Sequence, residues 1–109
     1  MKFEMSHQIA LQHPDWRESE LFYKNVMDLD TKNEENHLHI QSGDMNLYIM
    51  ENGNLRGTVI EFSVYDVETA RKYLVNNGCT VVKWEGKGND CYMRDPYDLV
   101  FNLWENKKE

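Results

Sequence analysis

Alternating apolar and polar residues predict the β-strands of this chain. Residues 8–12 and residues 59–64 each alternate about one face, which is typical of a half-buried strand. Shorter extended runs follow in each half, separated by turn residues such as Gly43 and Pro96. These runs cover residues 29–32, 37–41 and 46–51, and then residues 80–84, 90–94 and 99–105. Four strands are therefore expected in each half.

One helix is predicted in each half, directly after the first strand. The first helix begins at Pro14, because a fixed φ followed by acidic residues suits a first helical turn. Phe22 and Val26 continue its 3.6-residue period. The second helix begins at Asp66 and stops at Gly78, the residue type expected for a left-handed cap.

The order strand-helix-strand-strand-strand thus occurs twice, which indicates an internal repeat. Aligning the two helix starts places Ile9 on Ile60, and the final strands align residues 47–52 with residues 101–106. Identity between the halves is slight, but the period, the order and the turns agree.

The chain has 109 residues, which is enough for one domain, and a formal net charge of −7. Nucleic acid and anionic membranes both attract basic surfaces, so neither is expected as a partner. No apolar run is long enough to span a bilayer, and the first residues lack a signal-peptide core, so a cytoplasmic location is expected. Cys79 and Cys91 are expected to be small buried thiols.

Three segments resemble the vicinal-oxygen-chelate superfamily of glyoxalases, bleomycin-resistance proteins and extradiol dioxygenases. Residues 15–29 resemble its D-L-x-x-S-x-x-F-Y-x-x-V-L-G-L helix, and residues 66–78 resemble its D-V-x-x-A segment with a closing Gly. The Arg-Asp-Pro turn and strand of residues 94–103 resemble its closing R-D-P-D-G-x-x-x-E-L, with Asp98 in place of the turn glycine.

The resemblance implies an α+β fold in which residues 1–109 form a single domain. Two βαβββ modules, about 4–52 and about 57–106, would form curved mixed sheets around a cavity, with one helix on the outer face of each. It also implies a homodimer.

The resemblance further places the superfamily's four metal-ligand positions at Gln8, Tyr48, Val59 and Asn102. A divalent transition-metal ion needs several anionic or imidazole donors, and valine offers none. The two amides are weak donors, and tyrosine is protonated near neutral pH. We therefore expect no metal and no other cofactor.

His7 is an alternative metal ligand if the register of the first strand shifts. Such a shift would also turn large apolar residues such as Ile9 and Leu11 away from the helices, at about 1.5–3 kcal/mol for each side chain left in water. A bulge confined to the strand end would avoid that loss, so this alternative stays open. His37 and His39 share a strand face, but without a third donor they are expected to be solvated.

Strand alternation also predicts which residues line the cavity. The expected ligand-binding set is Gln8, Gln12, Tyr48, Met50, Glu61, Ser63, Asn102 and Trp104. An acidic, aromatic lining favours planar or cationic ligands. Glu61 is a candidate general base if burial raises its pKa. Otherwise it is solvated at the cavity mouth or paired with Arg56 or Arg94.

Three functions are compatible with these features. The first is metal-independent binding of a small organic molecule, for sequestration or sensing. The second is a metal-dependent lyase, isomerase, thiol transferase or dioxygenase of the same superfamily. The third is a dimeric interaction module whose cavity is filled by its own side chains. Trp16 is expected at the surface or in a dimer contact, whereas Trp84 and Tyr92 are expected to pack in the core or in a dimer contact.

Overall fold

The computed structural model describes residues 2–51 and 57–107. Within them, eight strands and two helical segments follow the predicted order. The strands are β1 (Glu4–Gln12), β2 (Asp30–Asn33), β3 (Leu38–Ser42), β4 (Met45–Met50), β5 (Thr58–Val64), β6 (Thr80–Lys83), β7 (Asp90–Arg94) and β8 (Val100–Glu105). The helical segments are a π-helix, Phe22–Val26, and an α-helix, α1, Val67–Val75. Asn52 and Arg56, which entered the sequence-based predictions, lie outside the described residues. The chain is therefore of the α+β class, as predicted.

Two compact units divide the chain, His7–Val59 and Met1–Ser6 with Ile60–Glu109. In the first module the strand order is β2-β3-β4-β1, and β1 pairs with β4 in parallel while the other pairs are antiparallel. The core on one side of this sheet is built on the buried side chains of Leu38, Ile40 and Ile49. Leu11, Leu47, Leu29, Trp16 and Tyr23 pack against them.

The second module repeats this arrangement with the strand order β5-β8-β7-β6, in which β5 and β8 are parallel. Its core unites one side of the sheet with the inner face of α1. The buried members are Val64, Val67, Ala70, Cys79, Cys91, Met93, Phe101 and Leu103. Cys79 and Cys91 are free buried thiols, as expected. Trp84 packs against this core, in agreement with the first of its two predicted positions.

The strand register confirms the internal repeat. Ile9 lies beside Leu47 in the first module, and Ile60 lies beside Phe101 in the second. These are the residues that the sequence alignment of the two halves places on each other. In each module the first and last strands in sequence form the parallel pair, and this pair lies at one edge of the four-stranded order.

The first helix differs from the prediction. Turns occupy residues 14–19, residues 20 and 21 are α-helical, and a π-helix follows, in which the amide of Met27 donates to the carbonyl of Phe22 over 3.3 Å. The Ser19 hydroxyl donates to the Trp16 carbonyl over 2.7 Å and so competes with the helical backbone ladder at that point. Trp16 is partly buried against the core of the first module rather than fully at the surface, and its predicted role in a dimer contact stays a prediction.

Helix α1 agrees with the prediction because its ends carry strong caps. Asp66 accepts from the amide of Thr69 over 3.0 Å, and Glu105 accepts from the amide of Val67 over 3.0 Å. Gly78 follows the helix with φ 102°. Asp98 takes φ 75° in the turn before β8, in agreement with its replacing a glycine of the superfamily motif. No helix within the described residues is long and apolar enough to cross a membrane.

Candidate functional site

The face of the second-module sheet that turns away from α1 carries a polar and aromatic cluster. Neighbouring residues on paired strands share a face, and the pairing sets Glu61 beside Asn102 and Tyr92 opposite Asn102. One step along the strands, Trp104 lies beside Ser63 and opposite Asp90. Four predicted site residues, Glu61, Ser63, Asn102 and Trp104, therefore lie together.

Asn102 holds the centre of this cluster. Its side chain is 6% exposed, and it is the single buried polar residue among those that the structure describes. Its amide nitrogen donates to Asp90 Oδ1 over 2.7 Å and to Glu61 Oε1 over 3.3 Å. Its carbonyl oxygen accepts from the amide of Cys91 over 3.2 Å. The side-chain amide of Asn102 thus bridges two carboxylates, and both its nitrogen and its oxygen are hydrogen-bonded.

Glu61 is held by two donors, because the Ser6 hydroxyl also donates to its Oε2 over 2.9 Å. Burial raises the pKa of Glu61, and the hydrogen bonds from Ser6 and Asn102 oppose that rise. Arg94 is not its partner; the Arg94 guanidinium lies 3.3 Å from Asp98. The described contacts of Glu61 are therefore those of a partly desolvated, hydrogen-bonded carboxyl.

Tyr92 lies on the same face and is half-buried, so it is not part of the core, and its packing in a dimer contact stays a prediction. Burial raises the pKa of its hydroxyl, and the charges of Asp90 and Glu61 raise it further. The phenol therefore stays protonated at neutral pH and can serve as a hydrogen-bond donor.

Trp104 supplies the exposed aromatic surface of the cluster. Its side chain is 38% exposed, although it lies between strand neighbours near the end of β8. A large apolar ring that stays accessible beside carboxylates can stack with a planar molecule and attract a positive charge.

The corresponding face of the first module carries three of the other four predicted residues, Gln8, Tyr48 and Met50, whereas Gln12 at the end of β1 lines a cavity on the helix side of the sheet. Gln8 lies beside Asn46, and Gln12 beside Met50, on β1 and β4. Tyr48 lies beside Ala10 and stacks on the ring of His39, with ring centres 4.8 Å apart and an interplanar angle of 8°.

His39 also contacts Asn46 Oδ1 through Nε2 at 2.7 Å, and the ring of His37 meets Tyr48 edge-on at 5.5 Å. Both histidines are half-buried, so they are not the solvated pair that was predicted. The Tyr48 ring therefore has an imidazole against its face.

The residues at the superfamily's metal-ligand positions do not fit a metal ion. Val59 is 3% exposed and has no donor atom, and the side-chain oxygen of Asn102 already accepts from Cys91. Gln8 and Tyr48 would leave one neutral amide and one phenol, which is a poor donor set for a transition metal. No group of three or more His, Cys, Asp or Glu side chains suited to a metal occurs within residues 2–51 and 57–107.

His7 lies on β1 and is exposed. The pairing of β1 with β4 runs without interruption from Gln8 to Gln12, so the whole strand does not shift its register. His7 precedes the first of these paired residues, and its role as a ligand after a bulge at the strand end stays a prediction.

Sequence reasoning missed Ser6, Asp90, Tyr92 and His39 as members of these clusters. A signal for two of them was available. The turn before β8 pairs Arg94 with Val100, and counting back along the hairpin places Tyr92 opposite Asn102 and Asp90 opposite Trp104.

No protein-family model matches the chain, and no curated protein matches it by sequence. Solved structures match it in fold. A hypothetical protein from Bacillus halodurans C-125 is 12% identical, with a TM-score of 0.71 over 100% of this chain and 98% of that one. A glyoxalase/bleomycin resistance protein/dioxygenase superfamily member from Vibrio splendidus 12B01 is 11% identical, with a TM-score of 0.65 over 96% of this chain and 100% of that one.

The chain has the vicinal-oxygen-chelate fold. The same vicinal-oxygen-chelate fold relates it to an extradiol ring-cleaving dioxygenase from B. fuscum, at 18% identity and a TM-score of 0.63. That match covers 96% of this chain and 33% of the dioxygenase. Identities this low establish the fold and no activity.

Proposed function

We propose that this protein binds a small organic molecule without a metal ion, in a sequestering or sensing role. The observation that carries the proposal is the Glu61–Asn102–Asp90 hydrogen-bond bridge beside the exposed ring of Trp104. Ligand sites commonly combine an aromatic surface with a few fixed polar groups, and this cluster supplies both.

The charges of the cluster favour a planar cation. Glu61 and Asp90 bring two carboxyl groups to one amide, and the part of the chain that the structure describes places no cation in hydrogen-bond contact with either. A positive ligand would gain attraction from both carboxylates and from the face of Trp104. The contribution of Gln8, Tyr48 and Met50 from the first module stays a prediction.

The metal-free part of the proposal is supported by the donor set. Val59 cannot coordinate an ion, and Asn102 would have to give up its bond from the Cys91 amide to do so. If the ligand binds without a metal, Asn102 can keep its hydrogen bonds to the two carboxylates.

Equilibrium dialysis against 9-aminoacridine, a planar cation, and anthracene-9-carboxylate, an anion of similar size, tests the proposal. The cation should bind and quench tryptophan fluorescence, and the anion should not. Trp104→Ala should remove the quenching, and Asp90→Asn should weaken binding by roughly three- to tenfold, the effect of one charge contact of about 1 kcal/mol.

Asp44→Asn is the matched control, because it removes the same charge from an exposed turn residue. It should leave the affinity for the cation unchanged. Equal affinity for cation and anion, or equal losses in the Asp90 and Asp44 variants, would show that only net charge is being measured and would overturn the assignment of the site.

Elemental analysis of protein purified without chelator separates this proposal from the metal-dependent alternative. Stoichiometric zinc, iron, manganese or nickel that disappears in His7→Ala would replace it with a lyase, isomerase, thiol transferase or dioxygenase function. Absence of any bound compound, together with dimerisation that depends on Trp104, would instead favour the interaction module.

A further inference from the structure

We propose that the first module carries a separate site for a neutral aromatic compound with one hydrogen-bond donor. The site is a cavity of about 350 Å³ between the π-helix and the ends of β1 and β4. Its walls include Leu11, Gln12, His13, Phe22, Tyr23 and Ile49. This volume lies in the range of small-molecule sites. The cavity is on the helix side of its sheet and is lined by Gln12 at the end of β1, so Gln12 belongs to this site rather than to the site proposed above.

Gln12 gives the cavity an acceptor that needs a partner. Its side-chain Oε1 is buried and accepts no hydrogen bond from residues 2–51 or 57–107. Buried polar atoms without a partner are uncommon in folded proteins, because the group loses water and gains nothing in return. An N–H or O–H group on a ligand in this cavity would satisfy the Gln12 oxygen.

The lining of the cavity carries no carboxylate, and the Nδ1 atom of its one imidazole, His13, already accepts from the amide of Asp15 over 3.0 Å. The remaining lining residues carry no charged side chain. A charged ligand would lose its hydration here without meeting an opposite charge, so a neutral ligand is favoured.

Two aromatic side chains in the lining of the cavity favour a flat ligand. Phe22 and Tyr23 are adjacent, with ring centres 5.3 Å apart and planes at 89° to each other. They are the first two residues of the π-helix, a widened turn that occurs often at functional sites. Leu11 and Ile49 complete the apolar surface from the sheet. A ring that enters this space meets edges and faces of aromatic groups.

Isothermal titration calorimetry with indole and 1-methylindole tests the proposal. The two compounds share a ring system, but only indole has an N–H donor. Indole should bind roughly three- to tenfold more tightly, the effect of one hydrogen bond. Gln12→Met should abolish that preference, and Phe22→Ala, at a half-exposed position, should weaken both compounds.

Gln41→Met is the matched control, because Gln41 is exposed on β3 and does not line the cavity. It should keep the preference for indole, and so should Trp104→Ala, which would disable only the site of the second module. Equal affinity for the two compounds, survival of the preference in Gln12→Met, or no binding of either at millimolar concentration would overturn the proposal. Thermal unfolding of each variant verifies that it is folded.

Discussion

The amide nitrogen of Asn102 lies 2.7 Å from Asp90 Oδ1, across the β7–β8 hairpin. The same nitrogen lies 3.3 Å from Glu61 Oε1 on the other neighbouring strand. One neutral side chain therefore separates two acidic ones on a half-buried face. The behaviour of this group of residues with pH follows directly from that arrangement.

Replacement of Asn102 by aspartate should make the stability strongly dependent on pH. Three carboxyl groups would then meet without a donor between them, so at pH 7 we expect a loss of roughly 2 kcal/mol or more in the free energy of unfolding. Part of the loss should return near pH 5, where protons bind to the cluster. Urea unfolding at both pH values measures this.

Asn46→Asp is the control for that experiment. It makes the same chemical change in the other module, where the side-chain oxygen already lies 2.7 Å from His39 Nε2. A carboxylate there would pair with the imidazole, so no comparable loss is expected. Similar losses at both positions would contradict the role assigned to the carboxylates around Asn102.

Glu61 should make the protein less stable as the pH rises. Its pKa is raised in the folded state from the ordinary value of 4.5, mainly by burial. The folded protein therefore keeps a proton that the unfolded chain releases first. The stabilisation is complete below pH 4.5 and is lost as the pH rises through the folded-state pKa.

Comparison of Glu61→Gln with the native protein, by urea unfolding between about pH 4 and pH 8, isolates this contribution. The native protein should lose stability across the window relative to the variant. A cationic ligand should show the opposite trend and bind more tightly as Glu61 loses its proton. Parallel stability profiles for the two proteins would refute the raised pKa.

Cys91 should be almost inert towards thiol reagents in the folded protein. Burial raises its pKa to about 11, and its side chain is fully buried at 0% exposure. At pH 8 only about one thiol in a thousand is then ionised. Burial also raises the pKa of Cys79. Both thiols should react with a disulfide reagent only after urea unfolding, and fast labelling of native protein would contradict this packing.

Gly78→Ala should destabilise the protein by about 1–2 kcal/mol through its backbone conformation alone. The residue has φ 102°, and an added Cβ would lie 3.1 Å from Cγ of Pro96. Gly88→Ala is the matched control, with φ 90° and no neighbour within 4 Å of the new atom. Thermal unfolding should show a larger loss for Gly78→Ala, and equal losses would show that Pro96 moves aside freely.

The strands were the most predictable part of the fold, because alternation is a local property. β7 occupies the predicted residues 90–94, and β8 differs from its prediction by one residue. The π-helix was not predictable in the same way. Pro14 and the acids after it do signal a helix start, but the Ser19 hydroxyl donates to the Trp16 carbonyl, a local bond that the spacing of apolar residues does not reveal.

The candidate site was predictable only in part. Parity placed Glu61, Asn102 and Trp104 on one face, since each strand fixes its own alternation. The bond between Asn102 and Asp90 depends on the pairing of two strands, and no single strand contains that information. The hydrogen bond from Ser6 to Glu61 joins residues that are separated still further in the sequence.

Ser6 and Phe3 show where the two halves of the repeat cease to be interchangeable. Phe3 packs against the core that contains α1, and Ser6 donates to Glu61, although both precede the first module's own core residues in sequence. A polypeptide severed between the modules would leave these two side chains on the wrong fragment. Reconstitution from separate halves should therefore require the second fragment to be fused behind a copy of residues 2–6, and a second half produced alone should not reach native stability.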